Sequence, residues 1–296
     1  MFAHELGRFG VWWSGSWHDA EDRERNVAAE VEALGYGTLW SSGGFEPGFA
    51  PRFGELLAGT DRAVVASGIA SIWTTTPADV GPAVADLEAR FDGRFLFGIG
   101  TSHSAIVRDY RRPYTRMVEY LDGLDALEPS DPSDPSGPPV PPERRVLAAL
   151  GPRMLELAKT RAAGAHPYFV PVEHTLFARE VLGAGPLLAP EVAVVLETDR
   201  DTALRRAREY ASIYLPLPNY TNNLRRFGFS DYDIEGGGSD RLIEAVIPWG
   251  DAGIVAERVR AHLDAGADHV CVQAIADYST FPLAEYRELA AALFGG

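Results

Sequence analysis

Within six positions of the stretch RFLFGIGTSHS stand Gly98, Gly100, Thr101, Ser102 and His103, which combine backbone freedom, hydroxyls and an imidazole. Glycine lets a backbone approach a ligand closely. An imidazole with an ordinary pKa near 6.5 suits proton exchange at neutral pH, which makes His103 the candidate acid or base. The bland alternatives are a tight strand exit for the glycines and a helix-start histidine bonded to nearby backbone. The spacing does not continue as GxGxxG, so it gives no dinucleotide-binding fingerprint. A second element, RVLAALGPRMLELAK, runs through Leu150, Gly151, Pro152 and Arg153 into a helix. Proline at the first helical position leaves unpaired N–H groups and the positive end of the helix dipole to face a phosphate, and Arg153 adds charge. Here the alternative is a simple helix cap. Glu173, His174 and Thr175 open a later helix, as an N-terminal capping cluster or as groups facing a substrate. Trp12, Trp13, Trp40 and Trp73 fall at strand ends, where they either wall a pocket or pack in the core; Trp13 and Trp73 are the substrate-side candidates. The seven histidines show no HxH or HExxH spacing and the chain has one cysteine, so a metal centre is not expected. Nor is a serine hydrolase, since no GxSxG occurs.

These groups need a scaffold. Strands are expected over 9–13, 38–40, 62–69, 94–99, 145–150, 166–170, 191–196 and 269–275. Helices are expected from Asp19 to Gly35 and over 78–91, 114–127, 152–161, 173–182, 199–214, 251–265 and 283–293. Eight strands alternating with helices predict one α/β domain over 1–296, a (β/α)₈ TIM barrel with its active site at the C-terminal ends of the strands. Two segments break the rhythm. Residues 128–143, EPSDPSDPSGPPVPPE, are too rich in proline for helix or central strand and are expected to cross the surface extended. Residues 215–250, between the seventh and eighth strand units, are too long for a plain connection. They are expected to be a lid or substrate cover, or else a surface excursion or dimer contact.

Composition narrows the partners. With 296 residues, 46% hydrophobic, the chain can bury a full core. A net charge of −15 argues against nucleic acid and anionic membranes, both of which need a positive field, and in favour of a small-molecule partner. The lone Cys271 lies in the apolar run HVCVQAI, so no intrachain disulfide forms and a reducing, cytoplasmic setting is expected. No leader and no run of about 18 apolar residues is evident.

In the order of its segments VEALGYGTLW, VASGIASIW, DGRFLFGIGTSH, RVLAALGPRMLELA, GAHPYFVPVEHT, LPNYTNNLRRFGF and HLDAGADHVCVQ, the chain resembles the luciferase-like monooxygenase superfamily, and within it the oxidoreductases dependent on coenzyme F420, a deazaflavin. The resemblance implies hydride transfer between F420 and a small organic substrate, with FMN-dependent oxygenation as the alternative. A barrel without catalysis, serving as a binding subunit, is the reading of another class. It further implies a non-proline cis peptide at Gly68–Ile69 against the back of the ring. Ser41 and the loops at Gly100–Ser102 and Gly151 would hold the cofactor. In sugar-phosphate-oxidising relatives a His and a Trp follow the second strand; this chain has Gly43 and Gly44 in that segment, which puts that substrate class in doubt. Members are often dimers, so a homodimer is left open.

Overall fold

The structure, a computed structural model, describes residues 6–13, 21–42, 50–105, 107–128, 140–276 and 281–295. Strand and helix alternate through β1 (Phe9–Trp13), α1 (Glu21–Ala33), β2 (Thr38–Ser42), α2 (Ala50–Ala58), β3 (Val64–Ser71), α3 (Pro77–Arg90), β4 (Phe95–Gly100) and α4 (Pro113–Asp125). The chain continues with β5 (Arg145–Leu147), α5 (Pro152–Arg161), β6 (Gly164–Ala165), α6 (Val172–Leu182), β7 (Leu187–Leu188), β8 (Glu191–Leu196) and α7 (Arg200–Ala211). Then come α8 (Pro218–Arg226), α9 (Asp231–Ile234), α10 (Asp240–Val246), β9 (Trp249–Gly250), α11 (Ala252–Asp264), β10 (Val270–Ala274) and α12 (Leu283–Phe294). Every ladder is parallel, in the order β7-β6-β5-β4-β3-β2-β1-β10-β8-β9.

Backbone hydrogen bonds close this row into an eight-stranded barrel. The N–H groups of Leu187, Ala189 and Glu191 donate to the carbonyls of Ala163, Ala165 and Pro167 beside β6. On the other side, Leu188 O accepts from Asp268 N–H and Pro190 O accepts from Cys271 N–H, both next to or in β10. β7 and β8 are therefore two halves of one strand. The ladder is interrupted at Pro190 because proline has no N–H to return toward β10. β9 then bonds the upper part of β8, with Val195 N–H donating to Pro248 O and Glu197 N–H to Gly250 O, where β6 has already ended.

Alternation along each strand divides the core. Trp12, Trp40, Ala66, Leu96, Val146, Leu187, Ala189 and Cys271 form one cluster in the barrel interior. Their neighbours Val11, Leu39, Val65, Phe95, Leu147, Val192 and Val272 join the helices in a second cluster. Both faces are apolar, as a parallel sheet covered by helices requires.

Several expectations change in detail. The strand expected over 166–170 is assigned only at β6. Ladder-type bonds continue from His166 N–H to Leu147 O and into Pro167 O, but Phe169 adopts φ 55°, which ends the extended path. Helix α2, nine residues holding Pro51, was not anticipated. The insertion 215–250 is built of short packed helices. Tyr220, Leu224, Leu242, Ile243, Val246 and Ile247 from it form a core cluster with Ala193, Val195 and residues of α7. Asp19, Gly43, Gly44 and 129–139 of the Pro-rich segment lie outside the described residues; after them comes a 3₁₀ turn, Pro142–Arg144. No described helix is long and apolar enough to cross a membrane.

Candidate active site

The C-terminal ends of β3, β4 and β5 meet at a crowded point. Ser67 Oγ accepts from Gly98 N–H at 2.7 Å and donates to Gly98 O at 3.0 Å. A Cβ at Gly98 would lie 1.9 Å from Ser67 O, so glycine is required there. The same region of β3 shifts register. Ser41 pairs with Ser67 but Ser42 with Ile69, and Ala66 pairs with Leu96 while Ala70 pairs with Ile99. This is a bulge centred on Gly68. The described residues contain no cis peptide bond, so the cis bond expected at Gly68–Ile69 is corrected to a trans one. The bulge accounts for the displacement with an ordinary backbone: Gly68 sits beside the Trp12 indole, where a Cβ would be 2.5 Å from Nε1, and Ile69 turns toward the mouth.

Above this point a cavity of about 440 Å³ opens at the mouth of the barrel. One wall is Ile69 with Thr101, Ser102 and His103; a second is Leu150, Gly151, Pro152 and Arg153 at the start of α5. Gly151 caps α5 without a side-chain hydrogen bond, and a Cβ there would meet nothing within 4 Å. The first turn of a ten-residue helix thus faces open space with its donors uncapped. Ser102, at φ 54° and 9% exposed, holds its Oγ buried with no hydrogen-bond partner among the described residues. An unpaired buried hydroxyl costs about 1–3 kcal/mol, and a phosphate oxygen would satisfy it together with the helix start. The donor set therefore fits the phosphate of a ring cofactor. Arg153 stacks on Tyr114, its guanidinium 4.2 Å from the ring centroid, and Arg226 of α8 adds a further cation to the lining. Among the described residues no carboxylate lines this cavity, in a chain whose net charge is −15.

Other expected residues are placed differently. Gly100 packs against Ile69 and Ala148 behind the wall. Ser41 does not reach the cavity: Oγ donates to Trp13 O, and both residues lie with Val11, Leu39 and Phe281 on the helix-facing side of the sheet. Trp13 packs on Phe281 at 5.2 Å and is corrected from substrate wall to core. Trp73 supports the wall from behind, donating from Nε1 to Thr101 O at 2.6 Å. Glu173 is exposed in the first turn of α6, and α6 carries no side-chain cap, so neither sequence reading of this cluster holds. Instead, fully buried His174 bonds Leu150 O through Nε2 at 2.9 Å, and Thr175 bonds His262 Nδ1 at 2.8 Å. His174 thereby fixes the turn into α5.

His103 is half-buried beside Tyr220, 5.3 Å between ring centroids, and bonds the Asn219 side chain. Burial lowers its pKa below the ordinary 6.5, and the bond to Asn219 partly offsets this. Its Nδ1 is buried without a partner among the described residues. The floor of the cavity adds His166 and Tyr168, two positions beyond β6 that pattern reading missed. His166 Nδ1 bonds Ala189 O at 2.7 Å, its ring stacks on Trp40 at 4.3 Å, and Nε2 lacks a partner. Burial takes its pKa down to about 4, so the ring is neutral. Tyr110, Asn219, Tyr220 and Arg226 were missed as well, the last three being brought from the insertion by α8. A signal existed: HPY follows a strand, and NYTNN opens a helix after proline.

A profile of the luciferase-like monooxygenase family matches residues 9–269. No curated protein sequence matches the chain. Among solved structures, the coenzyme F420-dependent tetrahydromethanopterin reductase from Methanopyrus kandleri superposes with a TM-score of 0.73 at 17% identity, over 97% of this chain and 98% of that one. An F420-dependent secondary alcohol dehydrogenase, in complex with an F420–acetone adduct, gives 0.71 at 15% over 97% and 98%. The oxygenating constituent of 3,6-diketocamphane monooxygenase from Pseudomonas putida, a type II Baeyer–Villiger enzyme in complex with FMN, gives 0.66 at 14% over 96% and 95%.

Proposed function

Because this chain belongs to the luciferase-like monooxygenase family, we propose that it is an oxidoreductase that transfers a hydride between coenzyme F420 and a small organic substrate in the cavity above β3, β4 and β5. The observation that carries the reading is the pairing of the uncapped start of α5 at Gly151 with the unpartnered Ser102 Oγ on the same cavity. Together they form a phosphate site, and Arg226 and Arg153 give the surrounding wall the sign an anionic cofactor needs. The segments that resemble F420-dependent oxidoreductases, and the F420-dependent enzymes among the structural neighbours, support the deazaflavin over FMN.

When bound, the deazaflavin ring supplies or accepts the hydride. The protein's own work is orientation, dryness and proton handling. Ile69, pushed inward by the bulge, offers an apolar surface for a ring, and Ala148 and Ala149 leave room for one. Tyr114 and Tyr220 add ring surface to the lining, which favours a site poor in water. His103, neutral at pH 7, is placed to hold a polar group of the substrate or to exchange a proton with it at the cavity wall.

Titrating the purified protein with F420 and, separately, with FMN tests the proposal. F420 is expected to bind at micromolar concentration or below, seen as a change in its absorbance and fluorescence. Binding of FMN alone, with oxygen consumption when the flavin is reduced, would replace it with flavin-dependent oxygenation. Binding of neither ligand would favour a barrel without catalysis.

A further inference from the structure

Glu191 opens β8 and is paired in register with Cys271, and its side chain points into the barrel, 1% exposed. Neither carboxyl oxygen makes a hydrogen bond of normal geometry. The titratable groups around it are phenols and a thiol: Tyr210 from α7, Tyr168 after β6, Tyr214 and Tyr220 beyond them, and Cys271 and Tyr286 from β10 and α12. No arginine, lysine or histidine among the described residues balances it. A lone carboxylate in such surroundings costs far more than its acid form, so Glu191 carries a proton at neutral pH. The nearby Phe169 N–H and Tyr210 hydroxyl ease the charged form without reversing this.

The phenols form a chain. Tyr168 and Tyr210 hydroxyls lie 2.5 Å apart, and both reach Gln273 Oε1, at 2.7 and 2.8 Å; Tyr214 OH is 3.0 Å from Tyr168 OH. Tyr168 and Tyr210 together own two protons for these three contacts. One proton must occupy the short contact between them, so only one is left for Gln273. If Tyr210 donates to Tyr168, the Tyr210 oxygen keeps a lone pair free for the Glu191 proton. Tyr168 in turn lines the cavity.

We propose that Glu191, Tyr210 and Tyr168 form a proton relay that stores a proton in the barrel core and delivers it to the cavity. Resting on the hydride-transfer reading, the step balances as follows. When the substrate carbon is reduced by the hydride that a bound deazaflavin would supply, Tyr168 would give its proton to the adjoining substrate oxygen or nitrogen. Tyr210 gives its proton to Tyr168, and Glu191 gives its own to Tyr210. One O–H or N–H bond forms on the substrate and one O–H bond breaks at Glu191, while both phenols end as they began. In the opposite direction the chain removes a proton from a substrate hydroxyl. Tyr168 is the member that touches substrate; Tyr210 and Glu191 act through it.

The test is infrared spectroscopy of the full chain without cofactor, in H₂O and D₂O. Wild type labelled with ¹³C-glutamate is expected to show a carboxylic-acid C=O band at pH 8 that Glu191→Gln removes. Tyr210→Phe is expected to shift that band, since the acid loses its acceptor. On transfer to D₂O the band's isotope shift is expected at least tenfold more slowly in Tyr168→Phe than in wild type, because the exit to the cavity is cut. Absence of a protonated glutamate at pH 8, an unmoved band in Tyr210→Phe, or equal exchange rates would each overturn the relay. Circular dichroism checks that the variants fold, and the labelled wild type settles the protonation state without any substitution. If F420 fails to bind while the infrared results hold, the cofactor assignment falls and the relay stands.

Discussion

Ser67 brackets Gly98: its Oγ bonds both the N–H and the carbonyl of Gly98, and its own carbonyl oxygen fills the place of the missing Cβ. This contact locks the bulge of β3 against β4 and thereby sets the depth at which Ile69 enters the cavity. Gly98→Ala has no side chain to move aside, only backbone, so destabilisation of about 3 kcal/mol or more is expected. Ser67→Ala loses two hydrogen bonds and leaves their partners buried, at a cost of about 1–3 kcal/mol. Urea unfolding measures both, and a Gly98→Ala protein as stable as its parent would refute the assignment.

Gly151→Asp separates binding from stability. An aspartate fits without contact and caps α5 better than glycine, by a few tenths of a kcal/mol. The same carboxylate occupies the donors and repels an anion. Cofactor affinity is expected to fall roughly tenfold or more, a loss of about 1.4 kcal/mol, while the melting temperature holds or rises slightly. Calorimetric titration beside a thermal melt checks this, and unchanged affinity would remove the phosphate from α5.

His103 should titrate below 6.5 in NMR spectra, because burial outweighs its bond to Asn219. Asn219→Ala removes the interaction that raises the pKa, so the midpoint should move lower still. His103→Ala should slow turnover with little change in cofactor affinity. An unaltered rate would take His103 out of proton transfer.

Four other histidines couple folding to acid. Burial depresses His166, His174 and His269 to about 4 and His262 to about 3. Below about 6.5 the unfolded chain binds protons that the folded chain refuses, so stability falls as pH drops from there toward 4. The slope is about 1.4 kcal/mol per pH unit for each such residue. The histidines' share is level from pH 7 to 8 and falls steeply below 6.5, so in Glu191→Gln, which removes the opposing slope of Glu191, melting temperatures should follow that course; a flat profile down to pH 5 would show that burial does not depress these rings.

Glu191 works in the opposite sense. Burial raises its pKa, so above about 4.5 the unfolded chain releases a proton that the folded chain keeps, and this residue's contribution weakens as pH rises. Glu191→Gln should therefore stabilise the protein, and more at pH 8 than at pH 5. Equal effects at the two values would mean that Glu191 is ionised in the native state.

The long periodic elements were legible from sequence. β8 at Glu191–Leu196 and α5 at Pro152–Arg161 fall where the apolar pattern, Pro152 and the flanking turns put them. So was the loop after β4, because a glycine pair leaving an apolar strand has few uses. The face was harder. TLWSS and FGVWW are apolar on both sides of a buried parallel strand, so nothing in them says that Trp12 and Trp40 point inward while Trp13 and Ser41 point outward. The far wall was hidden for another reason. Asn219, Tyr220 and Arg226 stand more than a hundred residues from His103 in sequence, and only the packing of α8 on α7 and β8 brings them to it. The cis bond at Gly68–Ile69 was carried over from the family resemblance, and the bulge that replaces it is a matter of register, which sequence does not mark.

Pro190 leaves one lasting mark on the cylinder. At Pro190 no N–H returns toward β10, while Pro190 O still accepts from Cys271 N–H. The hoop therefore carries one seam at a fixed meridian, next to Glu191, set by a single residue that has no N–H to give.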